Sequence, residues 1–183
     1  MTNKIEYKYN HWHLPDDLRA LLMECMLHDP SQQRYKGVYA GENVLVTTDG
    51  RRLIEITIEH SIESGFWFCT QDGWLLNTLF ETFPQYAKII PKKKDLRRLV
   101  RIPGCEKRAV SIVLGALAQA GCIVDIDLLY KPMALLWDLD MQDVDVFVHK
   151  KKASTSFFML TGITHYGPIR YLQMHIPLAY ETE

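Results

Sequence analysis

Hydrophobic spacing changes period several times along the chain, and the changes divide it into elements. Ile5, Tyr7 and Tyr9 alternate with polar residues over Lys4 to Tyr9, a short strand pattern. From Leu14 the apolar steps become three and four (Leu14, Leu18, Leu21, Leu22, Cys25, Met26), which predicts an amphipathic helix. Pro15, Asp16 and Asp17 enrich its first turn and His28-Asp29-Pro30-Ser31 ends it. Strand-like runs follow at Tyr35 to Tyr39, Asn43 to Thr48 and Arg52 to Glu59. Asp49-Gly50 is a hairpin signal between the last two, and Ile54, Ile56 and Ile58 form one buried face. Gly65 to Thr70 adds a fourth strand, and Trp74 to Pro91 reads as a short helix followed by an extended connector.

A second unit opens with a strand at Leu96 to Ile102, then Pro103-Gly104 and a helix from Cys105 to Gln119 that Gly121 stops. Further strands are expected at Cys122 to Leu129, Val144 to Lys150, Thr155 to Thr161 and Ile169 to Ile176. A strand, a helix and more strands, occurring twice, form a repeat of architecture without a repeat of sequence. The outcome is an α+β fold with helices packed on antiparallel sheet.

At 183 residues, 48% hydrophobic and 23% charged, the chain can bury a real core, which excludes a disordered, collagenous or disulfide-stapled class. The uncharged run Ala109 to Val124 is too short and too diluted for a membrane span, and no secretory signal is visible at Met1 to Asn10. Cys25, Cys69, Cys105 and Cys122 lack CxxC spacing, and three of the four neighbour apolar stretches and read as small core residues in a reducing cytoplasm.

A formal charge of −1 argues against a surface coated with nucleic acid but leaves room for a local patch. Lys92, Lys93, Lys94, Arg97, Arg98, Arg101, Lys107 and Arg108 stand against Asp95 and Glu106 alone, a local charge of +6. Phosphate contact and a merely solubilising face are both open readings of that segment. No aromatic residue is interleaved with it, so single-strand stacking is not indicated.

Enzyme motifs are absent: there is no GxSxG, P-loop, GxGxxG or HExxH. No catalytic residue, metal site or cofactor is expected. The weak exceptions are His11-Trp12-His13 and the acidic set Asp138, Asp140, Asp143 and Asp145. Asp138, Asp140 and Asp143, with His149, allow a distant alternative of a small metal-dependent enzyme.

Three short segments remain: Thr48-Asp49-Gly50-Arg51-Arg52-Leu53 with the preceding Arg34-Tyr35-Lys36-Gly37-Val38, Phe83 to Pro91, and Leu172 to Leu178. In this order they resemble the bacterial sliding clamp family, the β subunit of the replicative DNA polymerase. There a TDGHRL-like turn, a FPDYxxVIP-like connector and a YxxMPM-like chain end occur in the same order. Arg51 replaces the usual His, and Ile176 and Leu178 replace the terminal Met residues.

The resemblance implies a DNA-clamp-like fold of two βαβββ units, 1–80 and 95–183, joined by a connector at 81–94. It also implies a hydrophobic pocket for QLxLF-type motifs of polymerases, the clamp loader and repair proteins. Thr48, Gly50, Arg51, Arg52 and Leu53 would form one wall, Pro84 and Ile89 would come from the connector, and Met174, Ile176, Pro177 and Leu178 from the last strand. Leucine and phenylalanine anchors suit such a cleft, with Arg51 and Arg52 as donors to peptide backbone or carboxylate.

In full clamps two such units make one domain and six domains close a ring around duplex DNA. A chain of this length is therefore expected to act as a reduced member, an oligomeric mini-clamp or a clamp mimic. The alternative is an accessory protein that binds duplex DNA through Lys92 to Arg108.

Overall fold

The structure, a computed structural model, describes residues 6–8, 11–26, 37–77, 83, 85–103, 109–122, 124–150 and 157–174. Its first half runs β1 (Glu6–Lys8), β2 (His11–His13), α1 (Asp16–Glu24), β3 (Gly37–Gly41), β4 (Val44–Thr48), β5 (Arg52–Thr57), β6 (Gly65–Cys69) and β7 (Trp74–Asn77). After single 3-10 turns at Tyr86–Lys88 and Lys93–Asp95 come β8 (Leu96–Ile102), α2 (Ala109–Gln119), α3 (Ile126–Asp138), β9 (Gln142–His149), β10 (Phe157–Thr164) and β11 (Gly167–Met174).

All the described strands join one antiparallel sheet in the order β1-β2-β7-β6-β3-β4-β5-β11-β10-β9-β8. The halves meet where β11 pairs with β5, with Leu172 opposite Leu53 and Gln173 opposite Arg52. An α+β fold built on antiparallel sheet is therefore what the chain adopts.

Alternation along the strands explains the two layers. One face carries Val38, Leu45, Ile54, Ile56, Val144, Val146, Val148, Phe158, Leu160 and Tyr171. It forms a single core with Leu18, Leu21 and Leu22 of α1, Val113 and Leu117 of α2, and Leu129, Met133 and Leu136 of α3. The opposite face carries a smaller cluster, Val46, Leu53, Leu96, Met159 and Leu172, with Tyr39, Phe83, Tyr86 and Ile90 packed against it. The connector thus crosses the sheet on the side away from the helices.

Two expected elements are corrected. Cys122 to Leu129 is not a strand, because α3 begins at Ile126. Asp125 caps it, Oδ1 accepting from the amides of Asp127 (3.2 Å) and Leu128 (3.3 Å), and the buried set Leu129, Pro132, Met133 and Leu136 has helical spacing. The helix predicted at the start of Trp74 to Pro91 is instead β7. A tight turn, with Gly73 at φ +93° and the Thr70 amide donating to the Trp74 carbonyl, sends the chain back along β6.

Two helices between β8 and β9, and β1, β6 and β7 beyond a four-strand unit, give an element order longer than two plain βαβββ units. The start of the Cys105 to Gln119 helix lies outside the described residues, as does the end of the Ile169 to Ile176 strand.

Candidate functional site

The connection between β4 and β5 organises the site. Thr48 pairs with Leu53, so Asp49, Gly50, Arg51 and Arg52 make the turn. Asp49 Oδ1 accepts from the amides of Arg51 (2.8 Å) and Arg52 (2.6 Å), and Thr48 Oγ1 donates to the Arg52 carbonyl at 2.6 Å. Gly50 occupies φ +87°, a conformation that a β-carbon would strain. The end of β11 fastens the same turn from the other side, the Met174 amide donating to the Arg51 carbonyl at 2.8 Å.

The connector supplies the third wall. Phe83 stacks on Tyr39 at 5.5 Å between ring centroids, with Phe66 and Tyr86 completing an aromatic cluster on the outer face. From that anchor the 3-10 turn brings Ile89 beside the hairpin, its amide donating to the Tyr86 carbonyl at 2.8 Å.

Thr48, Gly50, Arg51, Arg52, Leu53, Ile89, Leu172 and Met174 together line a shallow hollow that opens to solvent. Leu53 and Leu172, each 2% exposed, form its floor, whereas Ile89 (39%) and Met174 (40%) leave apolar surface in water at its mouth. Exposed aliphatic side chains over a buried aliphatic floor are suited to receive an apolar side chain from a partner.

Of the residues singled out in sequence, Thr48, Gly50, Arg51, Arg52, Leu53, Ile89 and Met174 are brought together, while Pro84, Ile176, Pro177 and Leu178 lie outside the described residues. Leu172 was missed. Its signal was alternation, since residues two apart on a strand share a face and Leu172 precedes Met174 by two.

Arg52 does a different task from the one expected of it. Its Nε donates to Asp49 Oδ2 at 2.7 Å, Nη1 to Glu24 Oε1 at 3.2 Å, and Nη2 to the Glu24 carbonyl at 2.6 Å. With its donors committed inward, Arg52 contributes wall rather than a free donor. Arg51 is exposed.

The basic segment is divided by the sheet. Arg97 lies opposite Val148, on the helix-side face, whereas Arg98 lies opposite Phe147, on the outer face. A bulge at Leu99 then returns Arg101 to the outer face. There Arg98 pairs with Asp145 at 3.3 Å and Arg101 with Asp143 at 3.2 Å. Lys92, Lys93, Lys94 and Arg97 are exposed, and Lys107 and Arg108 lie outside the described residues.

The same ion pairs engage half of the acidic set proposed for a cation. Among the described residues no group of three or more His, Cys, Asp or Glu side chains converges on a common point. His13 instead uses Nε2 against the Asp72 carbonyl at 2.9 Å. The thiols are equally unsuited to chemistry. Cys25, Cys69 and Cys122 are buried, and burial pushes each thiol up, Cys69 to about 11 and Cys25 higher still. Cys105 lies outside the described residues. Among the described residues no helix is long and apolar enough to cross a membrane.

No family model and no curated protein matches the sequence. The fold does have relatives among solved structures. One is a crystal structure from Eubacterium rectale ATCC 33656, assigned provisionally as a DNA polymerase III beta subunit. It superposes with a TM-score of 0.53 at 11% identity, over 96% of this chain and 68% of that one. At that identity the likeness concerns architecture alone: the chain has a DNA-clamp-like fold.

Proposed function

We propose that this chain is a sliding-clamp-related binding protein, without a catalytic role, whose hollow receives a short apolar peptide motif from replication or repair proteins. The observation that supports the reading most directly is the convergence of three segments distant in sequence. The Thr48 to Leu53 turn, Ile89 and the Leu172 to Met174 strand end form one apolar hollow with an exposed mouth. Its occurrence on a clamp-like fold adds weight. Regions 1–80 and 95–183 serve in this reading as two clamp-like units joined by 81–94, acting as an oligomeric mini-clamp or as a mimic that competes for clamp partners in the cytoplasm.

The hollow is shallow and open to solvent, so it suits one anchoring side chain with others on its rim. Burying one or two aliphatic or aromatic anchors contributes on the order of 3 to 6 kcal/mol before ordering costs, a weak and exchangeable contact.

A fluorescence titration with a QLxLF peptide tests this reading. Saturable binding that Met174→Asp removes is expected, because Met174 is exposed and its replacement leaves the core intact. Absence of binding at high micromolar peptide, or binding indifferent to Met174→Asp, would sink the reading.

A further inference from the structure

Buried polar side chains are not scattered through this protein. Among the described residues they are Thr47, Thr48, Arg52, Thr164 and Gln173, and all but Thr164 stand in or directly behind the turn that walls the hollow. Their partners are the end of one helix and the beginning of another. Arg52 reaches the carbonyl and carboxylate of Glu24, at the end of α1, and Thr47 Oγ1 lies 3.5 Å from the Cys25 carbonyl.

On the other side Arg52 Nη1 lies 3.5 Å from the Leu128 carbonyl, in the first turn of α3. The Tyr171 hydroxyl shares its proton between that carbonyl (3.0 Å) and Gln173 Oε1 (2.8 Å), and Gln173 Nε2 donates to the Asp125 carbonyl at 3.2 Å. Leu128 can serve these donors because residue 132, four positions on, is proline. With no amide hydrogen, Pro132 leaves that carbonyl without its helical partner.

Stability alone does not account for such a set. Desolvating an ion pair consumes most of its Coulomb attraction, and an apolar group of the same shape often serves the fold as well. What an ion pair with several directed hydrogen bonds adds is geometry, since each donor admits few positions of its acceptor.

We propose that Arg52 and Glu24 are positioning residues of the hollow: they tie its turn to α1 and α3 and hold the Asp49 to Arg52 backbone in the peptide-receiving shape. This inference rests on the peptide-binding reading above. It adds that Glu24, which does not line the hollow, sets its affinity.

The test is the double variant Glu24→Leu/Arg52→Met in the full chain, which replaces the pair by apolar side chains. Two quantities are measured well below its melting temperature: affinity for a fluorescent QLxLF peptide with serine at x, and hydrogen exchange at the amides of Gly50, Arg51 and Arg52. Positioning predicts roughly tenfold weaker binding together with faster exchange at those three amides. Affinity within about twofold of the parent, with unchanged exchange, overturns it.

Should the double variant not fold, Glu24→Ala leaves the Arg52–Asp49 contact in place. About threefold weaker binding with faster exchange is then expected, and no change in either overturns the proposal. Should the parent bind no peptide, the functional reading fails by itself. Exchange at the turn then decides the positioning claim, faster exchange supporting it and unchanged exchange overturning it.

Discussion

The turn-and-connector hollow and the β8 edge began as opposite kinds of sequence signal, and the fold treats them in opposite ways. The hollow is assembled from pieces spread over more than a hundred residues, none of which is conspicuous alone. The β8 region is a conspicuous run of positive charge within 17 residues. Folding gathers the first onto one face and divides the second between two. Strand geometry decides both outcomes: residues two apart share a face, so Leu172 joins Met174 while Arg97 and Arg98 point apart. Charge density along a chain becomes charge density on a surface only where the period of the element allows it.

The largest expected effect comes from breaking the floor of the hollow. Leu53→Asp or Leu172→Asp places a carboxylate at a position 2% exposed, among the apolar side chains of the outer-face core. Burial of an unpaired charge costs at least several kcal/mol, comparable to the stability of a whole domain. Loss of the cooperative thermal transition is expected. A variant that melted like the parent would show that the floor is not packed as described. Ile89→Asp probes the mouth instead. It should melt within a few degrees of the parent yet lose peptide binding by about tenfold, because an exposed apolar contact contributes to a partner and not to the core.

How much of this was legible in the sequence follows the same division. β8 runs from Leu96 to Ile102 as expected because its last residues, Val100, Arg101 and Ile102, alternate, and the Asp49-Gly50 hairpin was visible because its glycine and Asx residues have local reasons to turn. The helix at Ile126–Asp138 was hidden by Pro132, which argues against a helix locally. It is tolerated because Tyr171 and Arg52 take up the carbonyl it frees. β7 was hidden because Trp74 to Asn77 is short and its neighbours in the sheet are set by long-range pairing. Among the site residues, the inward turn of Arg52 depends on Glu24, 28 positions away, and no periodicity reports such a contact. Positions were readable; partners were not.

A smaller effect should come from the charges of β8. Arg98 and Arg101 are each about half exposed, and their pairs with Asp145 and Asp143 belong to the class that contributes roughly 0–1 kcal/mol apiece. Arg98→Gln/Arg101→Gln should therefore shift the melting temperature by a few degrees at most, less at high salt. A large loss of stability would mean that the edge of the sheet depends on these pairs, and the contrast with the buried Arg52 would fail.

Duplex DNA binding offers the finest test of the comparison. If the segment met DNA as one surface, each phosphate contact would add about 0.9 to the slope of log affinity against log salt, and neutralising any of its cations would lower that slope equally. The fold predicts inequality. Arg98 and Arg101 face carboxylates on the outer side, and engaging phosphate would require exchanging one anion for another, with little net gain. Lys92, Lys93 and Lys94 are exposed before β8 begins, and no carboxylate ion pair is found for them among the described residues. Fluorescence anisotropy with a short duplex at several salt concentrations separates the two cases. For any affinity the parent shows, Lys92→Gln/Lys93→Gln/Lys94→Gln should reduce the salt slope, by up to about three times 0.9, while Arg98→Gln/Arg101→Gln leaves it nearly unchanged. Equal losses from both variants would mean that the ion pairs open on binding and that the basic run acts as the single surface its sequence suggested.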